Sequence, residues 1–338
     1  MFAGCWDAMR DPYDRDVNYL RISVTDRCNL RCVYCMPKEG VSSIGHDDIL
    51  RYEEMLRIAS VAVRLGIAKV RVTGGEPLVR RGVVPFISSL NAIDQLRDIS
   101  LTTNGILLSD YAAQLYAAGI RRINVSLDSL NPDKYARITR GGDIQQVLEG
   151  IEHVHRIGFS PIKINTVAIC GLNDGEILDF ARMTLEKPYQ VRFIELMRVG
   201  YAQSWREGAY LPTSDILRVI RRHYQLNAIN GTGDGTSGPA ELYRIEGSMG
   251  EIGFISPVSQ HICRSCNRLR LTADGHLRAC LLSDDEVDLK TPLRGGCSDD
   301  DIEALMREAI AKKPPLHGEG HESISPRKCM RGMPSIGG

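Results

Sequence analysis

The sequence predicts an α/β fold, a partial (β/α)6 TIM-like barrel followed by a smaller C-terminal α+β domain. Three observations carry this prediction. From Tyr19 to about Tyr224, short β-branched runs alternate with longer amphipathic runs, six such pairs follow one another, and a polar, glycine-rich stretch comes after them. Strand–helix units in series imply a parallel sheet with helical crossovers, and six units are two short of a closed (β/α)8 barrel.

Each element of the barrel is predicted from its own periodicity. The predicted strands are Leu20–Val24, Val70–Thr73, Ile99–Thr103, Ile123–Leu127, Ile162–Ala168 and Gln190–Glu195. The predicted helices are Met55–Leu65, Val83–Leu96, Asp110–Ala118, Ile144–Arg156, Glu176–Leu185 and Ser214–Tyr224. Asp174 and Thr213 stand just ahead of apolar periodic segments, so each is a predicted helix N-cap. Polar and glycine residues follow almost every strand, and active sites of barrels lie at that edge of the sheet.

The domain boundary is placed in the polar segment 230–239, so that residues 1–229 form the barrel and residues 230–338 the C-terminal domain. This segment contains a GxGxxG match, Gly233–Gly238, but no strand leads into it and no helix follows, so we interpret it as a linker. The last 25 or so residues have the composition of a mobile tail. Between the polar segment and this tail we expect short strands at Leu242–Ile245 and Gly253–Ser256, a hairpin turn at Asp274–Gly275 and a helix at Ile302–Ala311.

Charge and hydropathy exclude several classes of partner. Lys plus Arg and Asp plus Glu number 42 each, so the formal net charge is zero, which argues against nucleic acid or an anionic membrane. No run approaches the roughly 20 apolar residues that span a bilayer, and the N-terminus lacks the apolar core of a secretory signal. We therefore expect a cytoplasmic protein, in which ten cysteines indicate metal binding rather than disulfides.

Six of the ten cysteines fall into two triplets. The first is Cys28, Cys32 and Cys35 (C-x3-C-x2-C), and the second is Cys263, Cys266 and Cys280 (C-x2-C-x13-C). Thiolates so close in a loop can bring their sulfurs onto one metal centre. A structural zinc takes four ligands, whereas three thiolates leave one iron of a four-iron cluster open to a substrate or cofactor. His261 could complete a zinc site with the second triplet, so zinc stays an alternative there.

The motifs resemble those of a known family. The segment Cys28-Asn-Leu-Arg-Cys32-Val-Tyr-Cys35 resembles the radical S-adenosylmethionine (SAM) signature. The second triplet, with Arg268-Leu-Arg270 behind it and Gly337-Gly338 at the end, is similar to the GTP 3′,8-cyclase family of molybdenum cofactor biosynthesis. The likeness runs from about Tyr19 to the end. The combination of both triplets, the arginine pair and the terminal glycines is far more specific than the first motif alone.

The resemblance implies an enzyme with two [4Fe-4S] clusters and SAM. A 5′-deoxyadenosyl radical would abstract hydrogen from C3′ of GTP, and attack on C8 would give (8S)-3′,8-cyclo-7,8-dihydroguanosine 5′-triphosphate, the first step of molybdenum cofactor biosynthesis. No catalytic side chain is expected, because the cofactor generates the radical. The six triplet cysteines would bind the clusters. The implied SAM contacts are Tyr34, Gly75, Ser126 and Met197, and the implied GTP contacts are Arg21, Arg71, Thr102, Lys163, Arg268 and Arg270.

Charge supplies an argument for the GTP site that does not depend on the family. A triphosphate carries about four negative charges, and the chain has no GxxxxGK[ST] loop to hold it. Discrete Arg and Lys side chains must therefore bind it, Arg being suited to bidentate contact. Arg21, Arg71 and Lys163 lie in predicted strands, as does Arg192, and an inward charge in a barrel is costly without a partner.

The resemblance further implies several partners: cyclic pyranopterin monophosphate synthase as the next pathway enzyme, an electron donor such as flavodoxin or ferredoxin, and a second copy in a homodimer. It also implies a tail that reaches back into the active site. Two alternatives are another radical SAM enzyme with an auxiliary cluster, such as one that modifies peptides, and a non-catalytic zinc or iron–sulfur scaffold. Of the remaining cysteines, Cys170 is expected to be a small buried residue, and Cys5, Cys297 and Cys329 receive no role.

Overall fold

A computed structural model describes residues 9–197, 199–204, 207–229, 238–260, 262–315 and 329–337. The strands are β1 (Tyr19–Ser23), β2 (Lys69–Thr73), β3 (Asp98–Thr103), β4 (Arg122–Ser126), β5 (Ile162–Ala168), β6 (Tyr189–Glu195), β7 (Leu226–Ile229), β8 (Glu241–Ile245), β9 (Glu251–Ile255), β10 (Arg268–Leu271), β11 (His276–Arg278) and β12 (Val287–Asp288).

The helices are α1 (Tyr52–Arg64), α2 (Val83–Asn91), α3 (Leu108–Ala117), α4 (Pro132–Thr139), α5 (Ile144–Ile157), α6 (Ile177–Glu186), α7 (Thr213–Arg221), α8 (Lys290–Arg294), α9 (Asp299–Ala311) and α10 (Met333–Ile336). Short 3-10 turns occupy Pro77–Val79, Asp174–Glu176, Gly200–Ser204, Glu207–Ala209 and Ile262–Ser265.

Backbone contacts divide the chain into two compact units. The first unit comprises Met1–Asn29, Val41–Ser100 and Arg264–Gly338, and the second comprises Leu30–Gly40 and Leu101–Cys263. This division differs from the predicted boundary at residue 230, because β10 returns to pair with β1 while β9 pairs with β6. The predicted boundary itself falls at residues outside the described part, as does nearly all of the glycine-rich match at 233–238.

The first unit is built on β1, which pairs in parallel with β2 on one side and with β10 on the other. The antiparallel strands β11 and β12 continue the sheet beyond β10. One face of these strands is wholly aliphatic, with Leu20, Ile22, Val70 and Val72 all fully buried. Burial of such a face is the main stabilising contribution to a sheet of this kind.

The second unit contains the parallel strands β4, β5, β6 and β9 in that order, followed by the antiparallel strands β8 and β7. Its aliphatic face includes Ile123, Val125, Ile164 and Val191, each fully buried. The division between the units falls within β3, between Ser100 and Leu101. Both units therefore have parallel strands with helical connections, as the alternation of strand and helix patterns predicts.

The six predicted strands and six predicted helices are all present, with differences at their ends. The largest difference concerns α2, which ends at Asn91 and not at the predicted Leu96. Gln95 has a φ of 71°, in the left-handed region that a helix cannot continue through. The pattern missed α4, although Asn131 accepts a hydrogen bond from the Lys134 N–H and Pro132 follows it, a common start signal.

Both predicted N-caps are wrong. Thr213 is the first residue of α7 and Pro212 is its N-cap, because the Thr213 hydroxyl bonds to Ser256 Oγ instead of to the helix (2.7 Å). Asp174 begins a separate 3-10 turn, and the N-cap of α6 is Glu176. Both residues lie at helix starts, but neither side chain caps the helix.

The C-terminal segment contains the predicted hairpin and helix. Gly275 has a φ of 88° in the turn between β10 and β11, and α9 contains the predicted Ile302–Ala311. The expectation of a mobile tail is wrong for residues 329–337. Cys329 is buried there, and α10 places Ile336 in the core of the first unit. Residues 316–328 and Gly338 lie outside the described part.

Candidate active site

A row of arginines crosses three parallel strands of the first unit. Arg21 on β1 is in register with Arg71 on β2 and with Arg270 on β10. Arg268 lies two residues before Arg270, in register with Tyr19, so its side chain shares the same face. Neighbouring strands lie about 5 Å apart, so the three in-register arginines span about 10 Å. Four of the six predicted GTP residues are thereby brought together.

The charges in this row act on one another. Burial, together with Arg270 and Arg71, lowers the pKa of Arg21 well below its usual range. Burial and Arg268 lower the pKa of Arg270 to about 10. Although burial opposes the shift, Arg71 and Arg21 also lower the pKa of Tyr19. Neighbouring positive charge contributes to all three shifts, and a bound anion would relieve that contribution.

The second unit has a polar face of its own. Two rows of polar side chains cross β4, β5 and β6 in register: Asn124, Lys163 and Gln190, and then Ser126, Asn165 and Arg192. The predicted residues Lys163 and Ser126 therefore belong to adjacent rows of one surface. Thr102 lies on β3, and its Oγ1 is buried without a hydrogen-bond partner in the described part of the chain. Such a hydroxyl is suited to a polar ligand.

Cys32 and Cys35 lie in a loop that is bonded to the end of α4. The N–H groups of Arg31 and Val33 donate to carbonyls in the last turn of that helix, at 3.0 and 2.9 Å. Cys35 N–H also donates to Cys32 O at 2.9 Å, which closes a turn between the two cysteines. The position of the loop thus depends on a helix that the sequence pattern did not reveal.

Arg140, the residue after α4, braces the same loop from its other side. Its guanidinium donates to Arg31 O (3.1 Å) and to Met36 O (2.8 Å), on either side of the two cysteines. Arg140 has a φ of 56°, a left-handed conformation that costs free energy for a residue other than glycine. The two hydrogen bonds offset this strain.

Tyr34, within the first motif, is held by Asp128 at the end of β4. The Tyr34 hydroxyl donates to Asp128 Oδ2 at 2.6 Å, and Val167 N–H donates to Asp128 Oδ1 at 2.8 Å. Burial raises the pKa of Asp128 to about 6, although both hydrogen bonds oppose the shift. Burial and Asp128 also raise the pKa of Tyr34 well above its usual range, so the phenol stays protonated as the donor.

Gly74 and Gly75 pack directly on the chain that leads to Cys28. Gly75 N–H donates to Thr25 O at 2.7 Å. A Cβ at Gly74 would lie 2.6 Å from Thr25 O, and one at Gly75 would lie 2.7 Å from Asp26 O, closer than real Cβ atoms come. The two glycines are therefore required by the close approach of protein backbone itself.

In the first unit, two cysteines of the second triplet sit among basic and N–H groups. Although burial opposes it, Arg268 and Lys313 lower the pKa of Cys266 to about 6. Lys313 Nζ lies 3.6 Å from Cys266 Sγ. Leu282 N–H donates to Cys280 Sγ at 3.4 Å. A lowered thiol pKa favours the thiolate, the form that binds metals. Cys263 belongs to the second unit.

Met197 lies two residues after Glu195, which ends β6 and whose carboxylate accepts several hydrogen bonds. Glu195 is buried and accepts hydrogen bonds from Tyr210, from the Thr213 N–H and from the N–H groups of Val258 and Ser259. Although burial opposes it, Ser259 lowers the pKa of Glu195. This carboxylate ties the loop that begins at Met197 to the loop that leads toward Cys263.

The cysteines fit iron–sulfur ligation by their chemistry. All those in the described part of the chain are free thiols, and the six triplet members are partly exposed. Within the same part, no group of three His, Cys, Asp or Glu side chains is arranged to hold a metal ion, and His261 is outside it. Ligation by the triplets stays a prediction. Cys170 is exposed, contrary to expectation, because it lies in the turn after β5.

The end of the chain reaches the arginine row. Arg270 Nη1 donates to Gly337 O at 2.5 Å. Arg331 anchors this tail by a bidentate pair with Asp274 at 3.0 Å for both contacts, and by a contact of 3.0 Å with Glu286. The structure thus brings Gly337 to one of the predicted GTP residues.

Sequence reasoning missed three residues that support the predicted site, Arg140, Glu195 and Lys313, and it placed Asp128 only among the polar residues that follow a strand. None lies in a motif, and a lysine after a helix such as α9 is an ordinary C-terminal signal. The polar faces could have been found, because Lys163 and Asn165 alternate with apolar residues along β5. That period of two would have identified the polar surface directly.

Comparisons with known proteins identify the family to which the chain belongs. The Radical SAM superfamily model matches residues 22–184, and the Molybdenum Cofactor Synthesis C model matches residues 189–319. A GTP 3′,8-cyclase of Alkaliphilus oremlandii is 46% identical over 333 residues, which cover 98% of this chain and 100% of that protein. One of Moorella thermoacetica is 48% identical over 330 residues, with the same two coverages.

A solved structure supports the fold. Streptococcus suis SuiB bound to S-adenosylmethionine matches with a TM-score of 0.54 at 12% identity, covering 82% of this chain and 62% of SuiB. At that identity the likeness shows the fold alone. Together with the parallel strands, it confirms the predicted fold class, α/β with the partial barrel of radical SAM proteins.

The fold and the sequence motifs make this chain a radical SAM enzyme, which uses S-adenosylmethionine and an iron–sulfur cluster. The near full-length relatives are more specific. The chain belongs to the GTP 3′,8-cyclase family and acts in molybdenum cofactor biosynthesis. These relatives do not support the alternatives of a peptide-modifying enzyme or a non-catalytic scaffold. None of the helices in the described part has the length and apolar character needed to cross a bilayer.

Proposed function

We propose that this chain converts GTP to (8S)-3′,8-cyclo-7,8-dihydroguanosine 5′-triphosphate, as the first step of molybdenum cofactor biosynthesis. The observation that carries the proposal is the row of Arg71, Arg21 and Arg270 on adjacent parallel strands. Three guanidinium groups on one face suit a triphosphate, since each can make bidentate contacts with phosphate oxygens. Relief of the repulsion among them would add to the affinity for an anion.

Three further residues are proposed to contact GTP. Arg268 shares the face of Arg270, and Lys163 belongs to the polar rows of the second unit. Thr102 offers a buried hydroxyl to the nucleotide. Gly337 O, which accepts from Arg270, supports a role for the tail in orienting that arginine.

Two [4Fe-4S] clusters are proposed, one on Cys28, Cys32 and Cys35 and the other on Cys263, Cys266 and Cys280. When bound, the first cluster and SAM supply a 5′-deoxyadenosyl radical that takes hydrogen from C3′ of the ribose. The chain positions SAM through Tyr34, Gly75, Ser126 and Met197. Asp128 fixes the Tyr34 ring by their 2.6 Å hydrogen bond, which supports a fixed backbone contact at that residue.

The partners and the cellular compartment are proposed from the resemblance to the family. We infer a cytoplasmic enzyme that forms a homodimer, receives electrons from a flavodoxin or ferredoxin, and passes its product to cyclic pyranopterin monophosphate synthase. Nucleic acid and membrane are not among the proposed partners, because the net charge is zero and the described helices do not cross a bilayer. Size-exclusion chromatography of the purified chain tests the dimer.

The activity is tested in protein reconstituted with iron and sulfide under anaerobic conditions, with SAM and a strong reductant. The expected result is 5′-deoxyadenosine formation that GTP stimulates and ATP does not, together with the cyclised product by mass spectrometry. Arg71→Met should retain GTP-independent cleavage of SAM and lose the stimulation. A yield indifferent to GTP would reject the substrate while keeping the radical enzyme.

The clusters are tested by metal analysis. We expect about eight iron atoms per chain, four for each cluster, and about half of that after replacement of either triplet by serine. Zinc without sulfide in the second triplet would reject the second cluster.

A further inference from the structure

Lys313 is a buried lysine that lies beside Cys266 of the second cysteine triplet. It follows α9 by two residues and is only 3% exposed. Its Nζ atom lies 2.9 Å from Arg268 O, 2.8 Å from Ala279 O and 3.6 Å from Cys266 Sγ. No motif includes this residue, and neither the cysteine ligands nor the arginine row accounts for it.

The three contacts define the state of the side chain. A lysine donates three hydrogen bonds only as the ammonium ion, which has three N–H groups. A buried ammonium is costly unless hydrogen bonds and opposite charge compensate it. Here two backbone carbonyls and one thiol sulfur occupy the three donor directions. The site is therefore built to hold a positive charge beside Cys266.

The two carbonyls belong to the segments that carry the cysteines. Arg268 lies two residues after Cys266, and Ala279 immediately precedes Cys280. One ammonium group thus ties both segments together. The helix that presents it is fixed at its other end, where Arg57 and Arg64 form ion pairs with Asp299 at 2.8 and 3.0 Å.

We propose that Lys313 is a positioning residue of the second cysteine triplet. Its ammonium group holds the Cys266 and Cys280 segments together and raises the reduction potential of the cluster bound there. The inference rests on the proposed second cluster. An N–H group donating to a ligand thiolate, with its positive charge, stabilises the reduced and more negative state of a cluster. Loss of that donor lowers the potential.

The test uses the full-length chain in which Cys28, Cys32 and Cys35 are all serine, so that only the second cluster is present. The midpoint potential is measured by a redox titration followed by electron paramagnetic resonance, and iron and sulfide are counted in each sample. Lys313→Met removes the charge and donors at similar volume, and Lys313→Arg keeps both. The matched control is Lys312→Met, because Lys312 is the exposed neighbour and its ammonium group pairs with Glu308 on the surface of α9.

Lys313→Met should shift the one-electron equilibrium toward the oxidised cluster by about tenfold, which equals about 59 mV toward lower potential. It should also speed the loss of iron to a chelator severalfold. Lys313→Arg should recover most of the potential, and Lys312→Met should match the parent. An unchanged potential in a fully loaded Lys313→Met protein would overturn the proposal, because a purely structural lysine would leave the potential alone.

Two further outcomes are informative. If Lys313→Met holds too little iron to titrate while Lys313→Arg holds a full cluster at the parent potential, the charge of the residue is required and the proposal stands. If the parent with intact Lys313 binds no iron, the proposed second cluster is rejected, and the role of Lys313 with it.

Discussion

Arg21 and Arg270 stand in register on the adjacent parallel strands β1 and β10, and the charge of Arg270 acts with burial to lower the pKa of Arg21. Two like charges held side by side on a buried face destabilise a protein without its ligand. Their placement is the basis for proposing an anion that the two arginines bind together. Removal of either arginine should therefore weaken the affinity for the anion and raise the free energy of unfolding of the ligand-free chain.

Arg21→Met should weaken GTP binding by about 2–5 kcal/mol, as for a desolvated charge contact. The free energy of unfolding of the ligand-free chain should rise by about 1 kcal/mol, because a partly buried charge that the neighbouring arginines repel is replaced by an apolar side chain. Anaerobic calorimetry with GTP and urea unfolding measure the two quantities. The exposed Arg81→Met is the control and should change neither. A loss of stability in Arg21→Met would mean that Arg21 is a structural residue.

Gly75→Ala should displace the chain that leads to Cys28. The new Cβ would lie 2.7 Å from Asp26 O and even closer to Arg27 O, and backbone cannot easily yield. We expect a loss of about 1–3 kcal/mol in the free energy of unfolding, with weaker SAM binding. Urea unfolding and SAM titration check this. Gly175→Ala is the control, since its Cβ would have no atom within 4 Å. Equal stabilities for the two variants would contradict the packing argument.

Arg140→Ala should loosen the loop of Cys32 and Cys35. The guanidinium would no longer donate to Arg31 O and Met36 O, which costs about 1–3 kcal/mol when the carbonyls stay buried. Arg140→Gly also lacks the guanidinium but tolerates the φ of 56°, so it should be about 1 kcal/mol more stable than Arg140→Ala.

Both Arg140 variants should lose iron to a chelator faster than the wild type, and the exposed Arg137→Ala should not. Urea unfolding ranks the four proteins. If Arg140→Ala and Arg140→Gly have the same stability, the left-handed backbone carries no strain. If both retain iron as the wild type does, the brace is not needed by the loop.

Asp128 predicts a pH dependence of stability. Its pKa is raised in the folded state to about 6, so the folded chain holds a proton that the unfolded chain releases near pH 4. The stabilisation is complete below pH 4 and is lost as the pH rises to about 6. Relative to Asp128→Asn, the wild type should lose about 3 kcal/mol over that range, from a shift of about two pKa units.

Urea unfolding of both proteins without clusters, at steps from pH 4 to 7.5, measures this difference. Subtracting the two curves removes the other titrating groups, which the variants share. A constant difference across the range would show that Asp128 has an ordinary pKa, and a difference of opposite slope would show that its ionised form is the stabilised one.

The features that were predicted correctly are those that depend on residues close together in the chain. The six strand and helix patterns were correct to within a few residues, and β5 was correct at both ends, because the periods of two and 3.6 are local properties. The cysteine spacings and the Arg268-Leu-Arg270 element could also be recognised, because they too are local in the sequence. N-caps failed, since the Thr213 hydroxyl bonds to a distant serine rather than to its own helix.

Contacts between residues far apart in the chain could be learned only from the folded structure. Arg21 and Arg270 are neighbours only because β10 inserts in parallel beside β1, and Lys313 reaches Cys266 only because α9 ends there. Arg140 and Asp128 reach the first motif through α4 and β4 in the same way. No periodicity records such pairings, because they follow from burial of aliphatic faces by segments far apart in the chain, and that burial is set by the fold as a whole.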